Sequence, residues 1–304
     1  MILAWAVFGA LVIGMLALDL GVFNRRPHEP SLRESAAWSA VWIGLAALFA
    51  IGVWFRFGDE AGLEFVAAYL VEKSLSVDNV FVFAAIFSAF SIPRALQHRV
   101  LFWGVMGALV LRAVFIFTGV ALLQRFHWLL LVFGILLVFL GVKLLVQKAE
   151  DEHPEEGFVV RAARKILPLA PIDGPRFVTV RDGRRAATPL LLALVAAESA
   201  DLLFALDSIP AVFAISEDPF ILYTSNVFAI LGLRSLYALL AGAVARLRHL
   251  RVGLAAVLIF VGLKLLAAPF VHIGTGISLG VISAMLAVAI GASLLPSAGR
   301  ATEP

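Results

Sequence analysis

Two stretches decide how this chain folds: YLVEKSLSVDNVFVFAAIF (69–87) and LLALVAAESADLLFALDSIPAVFAI (191–215). Each is apolar enough to cross a bilayer, yet each carries acids at the same spacing, Glu72 and Asp78 in the first, Asp201 and Asp207 in the second. A carboxylate in the middle of a membrane helix costs about 2.5–3.5 kcal/mol on insertion scales. Leucine would cost nothing there, so the acids mark a functional site for cations. That the pattern occurs twice points to a duplicated unit.

Working outward, the rest of the chain is equally apolar. It has 304 residues, 62% hydrophobic and 15% charged, where a soluble domain has about 25% charged residues. This predicts an all-α, polytopic membrane protein whose environment is the lipid bilayer. Apolar runs of about 20 residues, the length that spans a hydrocarbon core, predict about nine transmembrane helices. They fall near 2–22, 36–55, 62–87, 97–122, 126–147, 189–214, 223–243, 250–268 and 276–296. The first run lacks a preceding basic residue and is followed by Arg25 and Arg26, so it reads as a span rather than a signal peptide.

Lysine and arginine give the expected orientation. Seventeen fall in the loops of one side, among them Arg25, Arg94, Arg176 and Arg246, and two, Arg56 and Arg125, on the other. The positive-inside rule then puts the N-terminus outside and the C-terminus in the cytoplasm. The basic residues are scattered over short loops, which argues against nucleic-acid binding. The absence of cysteine excludes disulfides and thiolate metal sites.

The duplication extends beyond the acids. Aligning Asp78 with Asp207 brings Glu72 onto Asp201. GALVLRAVF (107–115) then faces AILGLRSLY (229–237), matching Arg112 to Arg234, and LLVFLGVKLL (136–145) faces VLIFVGLKLL (257–266), matching Lys143 to Lys264. Each copy holds three spans, an odd number, so the second is expected upside down relative to the first. Inverted repeats with the ion site between them near the midplane recur in secondary transporters. The expected organisation is two accessory spans (1–61), repeat 1 (62–147), a cytoplasmic loop (148–188), an inverted repeat 2 (189–268) and a last span with tail (269–304).

A six-residue step is about 9 Å along a helix and about 120° around it, so Glu72 and Asp78 cannot chelate one ion from a straight helix. Glu198, one turn before Asp201, adds a further carboxylate. The candidate metal residues are therefore Glu72, Asp78, Glu198, Asp201 and Asp207, arranged as a ladder. Asn79 and Ser208 follow the two aspartates and offer further oxygens. Pro210 removes the N–H that would bond the carbonyl of Leu206, and is expected to break the helix and redirect Asp207. Arg112 and Arg234 are candidate ion-pair partners, with Lys73, Lys143 and Lys264 as supporting charges within spans. Lys143 would snorkel at its span end, while Lys264 is expected to pair with a carboxylate or carbonyl. The alternative is an ion-pair scaffold in which acids and bases only hold the helices together.

The histidines lie in or beside loops, so the core ligands are oxygens. Oxygen ligands suit Mg²⁺, Ca²⁺ or Mn²⁺, and this chemistry does not choose among the three. No GxxxxGK[ST] motif occurs, so the chain is read as a transporter rather than an ATP-hydrolysing enzyme, with no catalytic residues and no tightly bound cofactor. Exporting a divalent ion against a 100 mV inward-negative potential costs about 4.6 kcal/mol. Protons moving inward are the expected drive.

EKSLSVDNVFVFAAIF, AESADLLFALDSIPAVFAIS and LDLGVFNRRPHEPS (18–31) resemble the TerC/Alx family of bacterial integral membrane proteins. The resemblance covers nearly all of 1–296. It implies an inner-membrane protein of a cation-exporter superfamily with inverted three-helix repeats, linked by name to tellurium resistance, whose expected role is export of Mn²⁺. The family's essential membrane acids fall on Glu72, Asp78, Glu198, Asp201 and Asp207. A non-transporting scaffold tied to metal or tellurite stress stands as the other class of reading. Within the loop, FVVRAARKILPL (158–169) reads as an amphipathic surface helix and RFVTVRDGRRAATP (176–189) as a small hairpin around Asp182-Gly183.

Overall fold

The computed structural model describes residues 1–23, 31–146, 168–181, 183–240, 249–271 and 273–294. Within these, the side chains of 18–23, Asp78, Phe81, Leu206, Asp207, Leu240 and Leu294 lie outside the described residues. The helices are α1 (Ile2–Phe23), α2 (Leu32–Phe57), α3 (Asp59–Ala89), α4 (Arg94–Arg125), α5 (Leu129–Val146), α6 (Pro189–Phe213), α7 (Pro219–Leu231), α8 (Leu233–Leu240), α9 (Leu250–Ala267) and α10 (Thr275–Leu294). Between α5 and α6 lies a two-stranded antiparallel hairpin, β1 (Val178–Arg181) and β2 (Arg184–Ala187).

The chain is a polytopic all-α membrane protein. Among the described residues, seven helical spans are long and apolar enough to cross a membrane: α2, α4, α5, α6, the α7–α8 pair, α9 and α10. The other two expected spans are helical as well. α1 is apolar over Ile2–Ala17, and α3 is a 31-residue helix whose acids lower its apolar character.

Local chemistry sets the helix ends. Ser31 caps α2 by accepting from the N–H of Glu34 (3.2 Å). Asp218 caps α7 by accepting from Phe220 (2.7 Å), with Pro219 at the first helical position, where no N–H is needed. α2 turns into α3 at Gly58, whose φ of 97° favours glycine. α3 closes with the N–H of Ile92 on the carbonyl of Phe87 (2.8 Å), and Pro93 prevents continuation.

α7 is the most enclosed helix: from Phe220 to Leu231 every residue except Tyr223 is buried. An aromatic cluster of Phe8, Phe49, Phe65, Phe220 and Phe228 packs α1 and α2 onto α3 and α7, with Phe49 and Phe228 centroids 4.8 Å apart. α5 and α9 meet through small residues. A methyl group on Gly262 would lie 2.8 Å from the carbonyl oxygen of Gly134, and one on Gly141 would lie 2.9 Å from that of Ala255. Only such residues let membrane helices approach backbone to backbone. Leu48, Ile51, Val110, Ile135, Phe139 and Val288 face outward, where lipid would cover them.

The hairpin forms where the Asp-Gly turn was expected. Arg181 pairs with Arg184 across a two-residue turn, and Gly183 has a φ of 74°. The N–H of Ala187 bonds to the carbonyl of Pro168 (2.8 Å), and Thr188 Oγ1 donates to the carbonyl of Arg176 (2.7 Å), seating the hairpin at the start of α6. The expected amphipathic helix at 158–169 falls almost wholly outside the described residues.

Candidate functional site

The site grows from α3, α4 and α6, which bring Glu72, Arg112 and the pair Asp201 and Ser208 into a buried cluster. Glu72 on α3 and Arg112 on α4 are each 1% exposed. The Nη1 of Arg112 donates to Oε1 of Glu72 and to Oγ of Ser208 on α6, the latter at 2.7 Å. Its Nη2 lies 3.6 Å from Oδ1 of Asp201, an ion pair too long for a hydrogen bond. One guanidinium thus ties two carboxylates and a hydroxyl from three helices, a use that suits its rigid fork of donors.

Oε2 of Glu72 and Oδ2 of Asp201 are buried without a hydrogen-bond partner among the described residues. A buried carboxylate oxygen left unpaired is costly, so these two atoms need an account beyond helix packing.

The other candidates distribute around this centre. Glu198, one turn from Asp201, lies against α4 at Gly107, where a Cβ atom would collide with its carboxyl group. Gly107 therefore keeps the notch that Glu198 occupies. Lys73 donates from Nζ to the carbonyl of Ala229 (3.2 Å) near the end of α7. Gly232 leaves room for it, because a methyl group there would lie 2.7 Å from that nitrogen. Lys264 donates to the carbonyl of Ala214 (3.2 Å) at the end of α6, and Lys143 is exposed. Arg234 is buried on α8 with a partner of its own. Asn79 and Ser208 are buried. Asp78 and Asp207 belong to α3 and α6, and their side chains lie outside the described residues.

Pro210 requires a correction. It does not interrupt α6, which continues through it to Phe213. The missing N–H removes one helical bond, and the buried setting of Ile209, Pro210 and Ala211 holds the turn in place. Nor do three or more His, Asp or Glu side chains among the described residues gather closely enough to hold a metal by themselves.

Two features were not read from the sequence. Gly107 was only a landmark of the repeat, and nothing in its surroundings betrays the carboxyl group opposite. Asn226 on α7 is fully buried, with neither amide atom hydrogen-bonded among the described residues. Such burial costs about 1–3 kcal/mol per unsatisfied group. A polar run, Thr224-Ser225-Asn226, inside an apolar helix was the available signal.

Fold and site together define a polytopic membrane protein built around a buried, charged centre. A model of the integral membrane protein TerC family matches residues 57–300. The "Uncharacterized membrane protein STKORF319" of Myxococcus xanthus is 56% identical over 294 residues, 96% of this chain and 92% of its own. The "Putative membrane-bound redox modulator Alx" of Salmonella typhi is 45% identical over 298 residues, 95% of this chain and 92% of its own. The protein of the same name in Escherichia coli K12 is 45% identical over 294 residues, 93% of this chain and 92% of its own. No solved structure matches the chain. The chain belongs to the TerC family.

Proposed function

We propose that this protein exports Mn²⁺ across a bacterial inner membrane, in exchange for protons, through the centre that joins α3 and α6. The observation that carries this reading is the pair of buried oxygens, Oε2 of Glu72 and Oδ2 of Asp201, that have no hydrogen-bond partner among the described residues, on carboxylates that Arg112 already holds in place. Paired only for structure, both carboxylates would be satisfied by their partners. A dehydrated divalent cation needs hard oxygen donors with partial charge compensation. Two carboxylates sharing one guanidinium leave one negative charge there, with Glu198, Asp78 and Asp207 further along the two helices. The cargo is assigned as Mn²⁺ by family resemblance, Mg²⁺ and Ca²⁺ being compatible with the same oxygens.

The contacts between α5 and α9 support an inverted repeat. In the sequence alignment Gly134 corresponds to Ala255 and Gly141 to Gly262. The two close approaches, Gly134 with Gly262 and Gly141 with Ala255, exchange under that correspondence, as a two-fold relation between the copies requires. On the loop charges, the N-terminus faces outward and the C-terminus the cytoplasm.

The redox role in the name of the Alx relatives would not run through a thiol or disulfide of this chain, which has no cysteine. Expression in cells stripped of their own manganese exporters tests the reading. The wild-type chain should restore growth in excess manganese, and Asp201→Asn, present in the membrane at equal level, should not. Equal protection by the two would remove Asp201 from the ion path.

A further inference from the structure

The amide of Asn226 stands out against its neighbours on α7. In the run Thr224-Ser225-Asn226 the two hydroxyls are satisfied within their own helix, Thr224 Oγ1 on the carbonyl of Phe220 (2.7 Å) and Ser225 Oγ on that of Leu222 (3.1 Å). Asn226 has no equivalent bond. It is fully buried, and both Oδ1 and Nδ2 lack a hydrogen-bond partner among the described residues.

Its place on the helix can be fixed from the residues one turn either side, which share its face. Tyr223, three positions before, donates from its hydroxyl to the carbonyl of Leu109 on α4 (3.5 Å). Ala229, three positions after, accepts from Lys73 on α3 (3.2 Å). Asn226 therefore lies along the seam where α7 meets α3 and α4. Glu72 adjoins Lys73 on α3, and Arg112 lies one turn beyond Leu109 on α4. The two contacts bracket the Asn226 position between Lys73, next to Glu72, and Leu109, one turn from the Arg112 that holds Glu72 and Asp201.

We propose that the side-chain oxygen of Asn226 is a neutral ligand to the divalent cation held by the free oxygens of Glu72 and Asp201. This deepens the transport reading and rests on it. Amide oxygens are regular ligands of hard divalent ions, used beside carboxylates in mixed sites. The neutrality has a purpose in a transporter. Glu72, Asp201 and Arg112 together carry one formal negative charge, so a third carboxylate would deepen the site and slow release. An amide completes the coordination shell without that penalty and favours hard over soft cations.

The test uses the purified full chain in detergent, titrated with Mn²⁺ and followed by calorimetry, with thermal unfolding measured on the same samples. Asn226→Leu keeps the volume, removes the unsatisfied amide and should unfold at the same or a higher temperature, while binding Mn²⁺ at least tenfold more weakly. Asn226→Asp keeps the oxygen and adds charge. It should bind Mn²⁺ at least as tightly as the wild type and, in proteoliposomes, release it more slowly. Wild-type affinity in a folded Asn226→Leu variant would overturn the proposal. Should that variant fail to fold, tenfold weaker binding by folded Asn226→Asp would overturn it instead. A folded wild-type chain that binds no Mn²⁺ at all would overturn the transport reading itself, a result distinct from any difference between variants.

Discussion

Arg112→Gln is the perturbation that weighs the centre of this molecule. In the wild type a 1% exposed guanidinium compensates Glu72 and Asp201 and donates to Ser208 Oγ at 2.7 Å. Gln preserves part of the volume and two donors but removes the charge. Removing one partner of a buried ion pair typically costs about 3–5 kcal/mol, because the remaining charge stays desolvated and uncompensated. The lost donor to Ser208 adds about 1 kcal/mol. Protonation of one carboxylate would recover part of this, so a net loss of about 3–5 kcal/mol is expected. Unfolding in mixed micelles with a denaturing detergent measures it. The double variant Glu72→Gln with Arg112→Gln should be less destabilised than the sum of the single changes by at least about 1 kcal/mol, the signature of direct coupling. An Arg112→Gln protein within about 0.5 kcal/mol of wild type would refute the argument that this residue holds buried charge.

Other outcomes follow from the same geometry. Gly262→Leu should cost about 1–3 kcal/mol or more, since its side chain would meet the backbone carbonyl of Gly134. Gly44→Leu, with open space around it, should be neutral in the same detergent unfolding assay. Gly107→Val should leave the fold standing, because the obstructing atoms are the movable end of Glu198, and should lower Mn²⁺ flux in vesicles. In the hairpin, hydrogen bonds from Thr179 (2.6 Å) and Arg176 (3.2 Å) hold the Asp173 carboxyl below the usual carboxylate range. A depressed acid stabilises its ionised folded form, so the hairpin's order should be complete above about pH 4, the unfolded aspartate value, and fall as pH drops through the lower folded value. Amide exchange over Asp173–Ala187 between pH 2 and 5 would show this, and Thr179→Val should shrink the pH dependence.

Much of the architecture was open to a reader of the sequence because it is written in one-dimensional signals. Apolar length marks the spans, and the Asp182-Gly183 turn marks the hairpin. The regular six-residue spacing of the acids puts Glu72 and Asp201 in matching places, and Arg112 suggests itself as their counter-charge. What escaped depends on how helices cross. Nothing local says that Ser208 would face Arg112, that Glu198 would rest on Gly107, or that Lys73 would reach a carbonyl on α7. Each contact joins residues far apart in the chain and is set by a rotation about a helix axis that hydrophobic periodicity leaves loose when every face is apolar. Pro210 misled for the opposite reason: its local rule is strong, yet in a buried turn the surrounding helices keep α6 continuous. Asn226 was visible as a polar residue in an apolar helix, but only the fold shows that its amide is buried with no hydrogen-bond partner among the described residues.

Uphill transport in proteoliposomes tests the central claim most directly. With purified protein in sealed vesicles, equal Mn²⁺ on both sides and the voltage clamped by potassium and valinomycin, an imposed pH gradient should drive Mn²⁺ toward the more acidic compartment. Protons should move the other way, and Asp201→Asn vesicles should show neither flux. Wild-type vesicles in which Mn²⁺ stays at equal concentration under that gradient would contradict proton-coupled export through this centre.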